Sequence, residues 1–428
     1  MNFDDSPEEA AFRAEARDWL DANKPRELEA LLKRASKREF TNVHLPSLGD
    51  EDVYRHCQAW QAKKHAAGWA CITWPKRYGG RDASPMENII WEQEEGIYAQ
   101  LSHVFYTGHG MAGTTIMAHG TEKQKQRYLV PMASGAELWC QMFSEPAGGS
   151  DLAGLRTRAV RADDGDWILN GQKIWTTHAH FADFGILIAR TDPTLPKHAG
   201  LTMFILDLKA PGVTPRPIKQ MSGESHFCEV FLQAARIPDS ARIGEVNNGW
   251  RVSLTTLMNE RLLLGASAPT GVEELVDLCE KLDVGDGRRA IDDPAVRARI
   301  GFWIAQSHGL RYAMQRAISA LSNGREPGPE YSVGKLVAHE MLQATSDYAL
   351  DLLGPLGTLV DESERHTSAM SILLKSPAGR VGGGTSEIQR NIIGERVLGL
   401  PADYRPDKGV PFNQMGAGSG ALGKPSVR

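Results

Sequence analysis

Three observations predict an α+β chain in which a β module sits between two helical modules. Apolar residues recur at helical spacing early in the chain. From Leu138 to Ile243, short β-prone runs alternate with Gly, Pro and Asp turns. Helical spacing then returns after Gly249. The expected boundaries are a helical N-terminal domain over 1–136, a middle β domain over 137–244, a C-terminal helical domain over 245–400 and a flexible tail over 401–428.

The first helix is announced by Ser6-Pro7-Glu8-Glu9, a capping box with proline at the first helical position. Phe12, Ala16, Trp19 and Leu20 follow on one stripe. Further helices are expected over 51–67, 85–99 and 121–134, with a Tyr78-Gly79-Gly80 turn between the first two of these. Strands are expected at Trp167-Ile168-Leu169, Phe184 to Ala189, Leu201 to Leu208 and Cys228 to Leu232. Asn170-Gly171, between Trp167-Ile168-Leu169 and Gln172-Lys173-Ile174-Trp175, reads as a hairpin turn. Beyond Gly249, Trp250, Leu254, Leu257 and Met258 share one helical face, and helices are expected over 297–322, 331–353 and 386–398. Pro and Gly dominate 401–428, which reads as a mobile tail or a wrap onto a neighbour. The chain shows no internal repeat.

A chain of 428 residues with 41% hydrophobic and 24% charged side chains is long enough to bury a large core. Its net charge of −5 argues against general attraction to nucleic acid or anionic lipid. No apolar stretch reaches the roughly 20 residues of a membrane span. The acidic opening Met1-Asn2-Phe3-Asp4-Asp5 is unlike a signal or transit peptide. Five scattered cysteines lack metal-site spacing, so reduced thiols in a cytoplasmic protein, with no metal, are expected.

Four separated segments carry chemistry. Gln141-Met142-Phe143-Ser144-Glu145-Pro146-Ala147-Gly148-Gly149-Ser150-Asp151 runs from a strand into a loop whose small residues let backbone amides approach a ligand. In Lys173-Ile174-Trp175-Thr176-Thr177, strand alternation puts an indole and the Thr177 hydroxyl on one face, which suits a flat, polar-edged ring. Asn248-Gly249-Trp250 leads along a helix to Asn259-Glu260-Arg261. Finally, Val381-Gly382-Gly383-Gly384-Thr385-Ser386-Glu387-Ile388-Gln389-Arg390 is a glycine run that passes directly into a helix, an arrangement favourable to an anionic group.

In order and spacing these segments resemble the acyl-CoA dehydrogenases over roughly residues 70–400. The resemblance implies a helical N-domain, a middle domain like a β-barrel, a C-terminal helical bundle, and FAD held at a subunit interface. It implies that the backbone of Phe143 and Ser144 addresses the pyrimidine side of the flavin, with Trp175 over the ring and Thr177 bonding near N5. Thr176 is grouped with them as cofactor-binding. Ser150 would stand where flavin phosphate and acyl-CoA approach, and Thr385 and Glu387 would contact FAD. The implied reaction desaturates an acyl-CoA to a 2-enoyl-CoA and passes electrons to an electron-transfer flavoprotein.

Many members of that family carry their catalytic glutamate just before the Gly-Thr pair, where this chain has Gly383. Removal of an α-proton needs a carboxylate near the thioester, and Glu260 is the candidate. It shares a helix edge with Leu257 and Leu264, where partial burial would raise its pKa from about 4.3 toward about 6–7. A subset of the family, including isovaleryl- and long-chain-type enzymes, places the glutamate on this earlier helix before an arginine, as in Glu260-Arg261. Arg261 and Gly384 are then substrate-side residues. The competing reading of Glu260-Arg261 is a structural ion pair.

Homotetrameric relatives reach across to a neighbour's FAD with Arg-x-x-Phe-Gly and Gln-x-x-Gly-Gly-x-Gly segments. The first is absent, with Val284-Gly285-Asp286-Gly287-Arg288-Arg289 in its region. In the second, Asp351 replaces glutamine, and its charge would repel a pyrophosphate. Two assemblies fit this departure: an α2β2 heterotetramer with a second subunit, and a divergent homo-oligomer using Arg288 or Arg289. Rival functions are a flavin oxidase or monooxygenase on the same fold, and a non-catalytic subunit. Three other patterns are set aside. Gly108 to Gly113 matches G-x-G-x-x-G without a βαβ unit and reads as helix packing. Gly418 to Lys424 approaches a phosphate loop but has Pro425 in place of Ser or Thr. His178 and His180 lack further metal ligands.

Overall fold

The computed structural model of the protein describes residues 5–35, 50–266, 270–322, 328, 332–359 and 364–415. The helices of the N-terminal domain are α1 (Pro7–Asn23), α2 (Glu29–Ala35), α3 (Asp50–Ala66), α4 (Pro85–Glu95), α5 (Gly113–His119) and α6 (Glu122–Ser134). The expected capping box forms at α1: Glu9 N–H donates to Ser6 Oγ at 3.2 Å, and Ser6 N–H to Glu9 Oε2 at 2.7 Å. Phe12, Ala16 and Leu20 are the buried stripe of α1. Trp19 lies at its edge against the rings of Trp60, Trp69 and Trp91. Between α4 and α5 the chain runs through 3-10 turns (Gly96–Phe105) and one wide π turn (Thr107–Ala112). Gly113 is required there for packing, because a Cβ would stand 2.4 Å from the Trp74 ring. The Gly108–Gly113 pattern is thus a helix-packing feature.

Eight strands make the middle sheet: β1 (Trp139–Met142), β2 (Arg158–Arg161), β3 (Trp167–Thr177), β4 (Phe184–Arg190), β5 (Leu201–Asp207), β6 (Val213–Pro217), β7 (Phe227–Ile237) and β8 (Arg242–Ile243). Their order is β6-β7-β3-β2-β4-β5-β8, with β1 parallel to β4. The two faces of β4 and β5 bury different sets. Leu187, Ala189, Phe204 and Leu206 join the core shared with α1, α3 and α4. Ile186, Ile188, Met203 and Ile205 join a second core with α5, α6 and Val252. Burial on both faces explains why these strands read as unbroken apolar runs rather than alternating ones.

Asn170-Gly171 does not turn the chain. β3 continues through it, paired with β7 from Leu169↔Ala235 to Gly171↔Leu232 across a bulge. Asn170 Oδ1 accepts from the N–H of Ala234 at 2.8 Å, and Ala234 takes the positive φ of the bulge at 49°. Glycine is needed at 171 because a Cβ would lie 2.7 Å from Thr157 Cα, just ahead of the neighbouring β2. The pair signals a bulge with the chemistry of a turn.

The C-terminal domain contains α7 (Gly249–Ala266), α8 (Val272–Lys281), a small hairpin of β9 (Asp283–Gly285) and β10 (Arg288–Arg289), α9 (Pro294–Ser322), α10 (Ser332–Leu353), α11 (Glu364–Val381) and α12 (Ser386–Ile392). The shared face of Trp250, Leu254, Leu257 and Met258 is only partly buried, with Trp250 and Leu257 packed against the second core. Val252, Ser253 and Thr256 are buried, whereas Met258 is 61% exposed. Polar pairs select that face: Thr256 Oγ1 meets Thr115 Oγ1 at 2.7 Å, and Thr255 meets His119 Nε2 at 2.8 Å. Part of the expected tail folds back onto the chain's own middle domain. Phe412 N–H donates to Leu195 O, the Phe412 ring lies 3.5 Å from the Arg190 guanidinium, and Lys197 bridges Asp407 and Asp151. Residues 418–424 lie outside the described residues. Among the described residues, no helix is long and apolar enough to cross a membrane.

Candidate functional site

The loop after β1 is fixed by a buried ion pair. Lys173 of β3 donates to Glu145 Oε1 at 2.8 Å and to Phe143 O at 3.0 Å. Glu145 also accepts from the N–H groups of Arg156 (2.6 Å) and Thr157 (2.9 Å). Ile174 N–H donates to Ser144 O at 2.9 Å. Phe143 and Ser144 are therefore held at the edge of β3, directly beside Trp175. Ser150 lies exposed at the far side of this loop, next to Asp151, which Lys197 anchors at 2.9 Å.

Trp175 departs from regular strand geometry. Its φ is +59°, in the register shift between Lys173 and Thr176, and 54% of the residue is exposed. Phe227 supports the indole edge-on, with ring centroids 6.0 Å apart. Thr176 is fully buried and Thr177 half-buried, so Trp175 and Thr177 are the members open to a ligand. His178 is buried next to this bend, and no group of His, Cys, Asp or Glu that could hold a metal occurs among the described residues.

Helix α7 carries Glu260 to the same place. The Gln141 amide at the end of β1 donates to Glu260 Oε2 at 3.4 Å, and Glu260 is half-buried. The helix edge expected for it includes Leu264, whose side chain, like that of Arg261, lies outside the described residues. On α10, Lys335 is 4% exposed, and its Nζ donates to Gly384 O at 2.5 Å. Burial pushes the Lys335 ammonium down to about 8, and Glu260 opposes that shift.

Gly383 and Gly384 have φ of +66° and +91°, so the bend into α12 is left-handed at both. A Cβ on Gly384 would meet Gln389 Nε2 at 2.7 Å. Gln389 is buried and donates to Gly383 O at 3.0 Å. Thr385 caps α12 by accepting from Ile388 N–H at 3.2 Å, and Glu387 is exposed on the first turn.

β1, β3, α7, α10 and α12 thus bring Phe143, Ser144, Gln141, Glu260, Lys335 and Gly384 into one region. Gln141 and Lys335 acquire their place only from the fold. A signal for Lys335 was present, since it falls on the stripe of Ala338 and His339, where a helix buries its side chains. A flavin fits these residues on an observation of the chain itself. Gln141 Oε1 and Gln389 Oε1 are buried polar atoms without hydrogen-bond partners, and so is Thr176 Oγ1, which follows the exposed Trp175 in the chain. Such atoms are costly unless a ligand or water satisfies them.

The segments that would serve a neighbour look different. Asp351 is exposed at the end of α10. Residues 283–289 form the β9–β10 hairpin, in which Arg289 is turned back onto Lys281 O at 3.2 Å.

Three family models match along the chain: the N-terminal, middle and C-terminal domains of acyl-CoA dehydrogenase, over residues 6–136, 140–235 and 247–398. The acyl-CoA dehydrogenase FadE34 of Mycobacterium tuberculosis is 39% identical over 77% of this chain, a match spanning only 44% of that relative. The acyl-CoA dehydrogenase IpdE1 of Mycolicibacterium smegmatis is 34% identical over 92% of this chain and 98% of its own length. Among solved structures, the ChsE4-ChsE5 complex from Mycobacterium tuberculosis has a TM-score of 0.75 at 30% identity, covering 94% of this chain and 100% of that one. The steroid ACAD Tcur3481-Tcur3483 has a TM-score of 0.74 at 26% identity, with the same coverage.

Proposed function

The chain belongs to the acyl-CoA dehydrogenase family, and from that premise we propose that it desaturates a ring-bearing, steroid-type acyl-CoA at the α,β-carbons with FAD as cofactor. The observation that carries the reading is that Glu260 meets Gln141 and acts as a charge on Lys335, which itself bonds the glycine bend at Gly384. A half-buried carboxylate in this region suits abstraction of an α-proton.

Phe143 and Ser144 offer backbone groups to the flavin edge, Trp175 covers its ring, and Thr177 supplies a hydroxyl, with the buried Thr176 behind it. Ser150, Thr385 and Glu387 complete the cofactor contacts. FAD, when bound, supplies the acceptor for the hydride leaving the β-carbon. Glu260 takes the α-proton on a carboxylate oxygen. The Gly383–Gly384 bend and Arg261 hold the thioester. The left-handed bend also explains the absence of a base there, because a bulky side chain is disfavoured at a φ of +66°.

The substrate class rests on the steroid ACAD named among the structural relatives and on the glycine at 383. The exposed Asp351 and the Arg289 side chain bonded to Lys281 O support an α2β2 assembly in which a second subunit completes the flavin site. The structural relative ChsE4-ChsE5 is likewise a complex of two named chains. An electron-transfer flavoprotein is the expected electron acceptor.

The test is anaerobic titration of the purified flavoprotein, alone and with its co-expressed neighbour, against octanoyl-CoA, isobutyryl-CoA and a steroid-24-oyl-CoA. Bleaching of the oxidised flavin band by the steroid thioester, abolished in Glu260→Gln with flavin content retained, is expected. Unimpaired reduction in Glu260→Gln would remove the assignment of the base. Full flavin loading and activity of the isolated chain would remove the heteromer.

A further inference from the structure

Lys335 is the buried cation at the meeting point of three elements, and the reaction outlined above gives it no task. Its Nζ bonds Gly384 O, the same carbonyl that the Gln389 amide reaches at 3.4 Å. The charged groups acting on it are Glu260 from α7, Arg380 from α11 and Glu387 from α12. His339, one turn along α10, uses Nδ1 on Lys335 O at 2.8 Å, and burial first of all lowers its pKa, so it adds no charge at neutral pH.

These groups are not equal. Arg380 is engaged by Gln343 Oε1 at 2.7 Å and by Glu340 at 3.8 Å. Glu387 is exposed, where water and salt screen its charge. Glu260 is half-buried, so its charge acts on Lys335 with less screening by water than that of Glu387. A lysine used only to tie two helices would need no carboxylate. One used only to neutralise a carboxylate would need no bond to the glycine bend. Lys335 has both.

Resting on the assignment of Glu260 as the base, we propose that Lys335 is a positioning residue for proton abstraction: it fixes the Gly384 carbonyl and keeps Glu260 ionised. A cation near a carboxylate favours its charged form, so removal of the cation moves ionisation to higher pH. Lys335 touches neither the proton nor the flavin in this scheme. It sets the charge and place of the groups that do.

The experiment is stopped-flow anaerobic reduction of the flavin by a saturating steroid-24-oyl-CoA between pH 5.5 and 9. It uses the flavin-loaded protein with any co-purifying subunit. Wild type, Lys335→Met, Lys335→Arg and Glu260→Gln are compared. In Lys335→Met the acid limb of the rate profile should move up by about one pH unit or more, with the rate recovering toward its plateau at high pH. Lys335→Arg, which keeps the charge, should return the limb close to the wild-type position.

A Lys335→Met protein whose rate falls equally at every pH, with the limb unmoved, overturns the proposal in favour of a purely structural lysine. If that variant does not fold, Lys335→Arg decides: a wild-type limb supports the proposal, and an upward-shifted limb overturns it. Flavin reduction that persists in Glu260→Gln overturns the functional reading and this proposal together. A dead Glu260→Gln with an unmoved limb in Lys335→Met overturns this proposal alone.

Discussion

Lys173 Nζ lies 2.8 Å from Glu145 Oε1 with side-chain exposures of 0% and 4%, and the pair pins the loop of Phe143 and Ser144 to β3. Breaking such a pair from one side leaves an uncompensated buried charge, which costs about 3–5 kcal/mol. Lys173→Met is therefore expected to lower the unfolding midpoint by several degrees and to release flavin. Thermal melts read with flavin fluorescence check both. A variant that melts like wild type would show that the pair contributes nothing.

The same pair has a pH signature. Burial alone would raise the Glu145 pKa, but Lys173 and the N–H groups of Thr157 and Arg156 outweigh it and leave it lowered. A lowered folded pKa gives stability that is fully present above the unfolded value of about 4.3 and is lost as pH falls through the folded value. The stability gap between wild type and Lys173→Met should hold from neutral pH to about pH 5 and shrink below about pH 4. Denaturant titrations at each pH measure that gap.

Gly384→Ala tests the bend into α12. The residue has a φ of +91°, and the added Cβ would meet Gln389 Nε2 at 2.7 Å. Left-handed strain of about 1–2 kcal/mol, together with displacement of Gln389, should lower both the melting temperature and the rate of substrate-driven flavin reduction. Unchanged values for both would mean the bend relaxes freely.

Phe412→Ala should release the returning C-terminal segment. The ring covers the Arg190 guanidinium at 3.5 Å, a contact worth about 0.5–2 kcal/mol. Faster proteolytic cleavage within residues 400–415 is expected, with only a small change in the global melting point. Equal cleavage rates would show that the Lys197–Asp407 pair holds the segment by itself.

Asp351→Ala should leave flavin content and activity of the assembled enzyme unchanged, since the side chain is exposed and carries the wrong sign for a pyrophosphate. Loss of flavin on this substitution would show that Asp351 does reach a cofactor. Quantification of flavin per protein after gel filtration decides.

Features set by near neighbours in the chain were legible in the sequence. The Ser6 capping box, the stripe of Phe12, Ala16 and Leu20, and the strands around Phe184 and Leu201 depend on such neighbours, and the structure has them. Asn170-Gly171 misled because its turn chemistry serves equally well in a bulge, and the choice was made by β7 rather than by the pair itself. The helix of Trp250, Leu254, Leu257 and Met258 is present as α7, but its pairing with Thr115 and His119 on α5 could not be read from neighbours in the chain. Helix α11 (Glu364–Val381) is not among the expected helices, and it accommodates Pro377 in its interior. At the site, Trp175, Glu260 and Gly384 stood out as motif residues. Gln141 and Lys335 gain meaning only when β1 and α10 converge on α7.

Trp175 gives the protein a built-in optical reporter. Of its ten tryptophans, it is the one classed as exposed; the others are buried or half-buried among aromatic and apolar neighbours. Its indole should dominate the long-wavelength edge of the emission and be the first reached by a soluble quencher such as acrylamide. A ligand that covers it would darken that edge and leave the blue emission of the interior nearly untouched. Loading of the site can therefore be followed in the unlabelled wild-type chain, with Trp175→Phe as the blank.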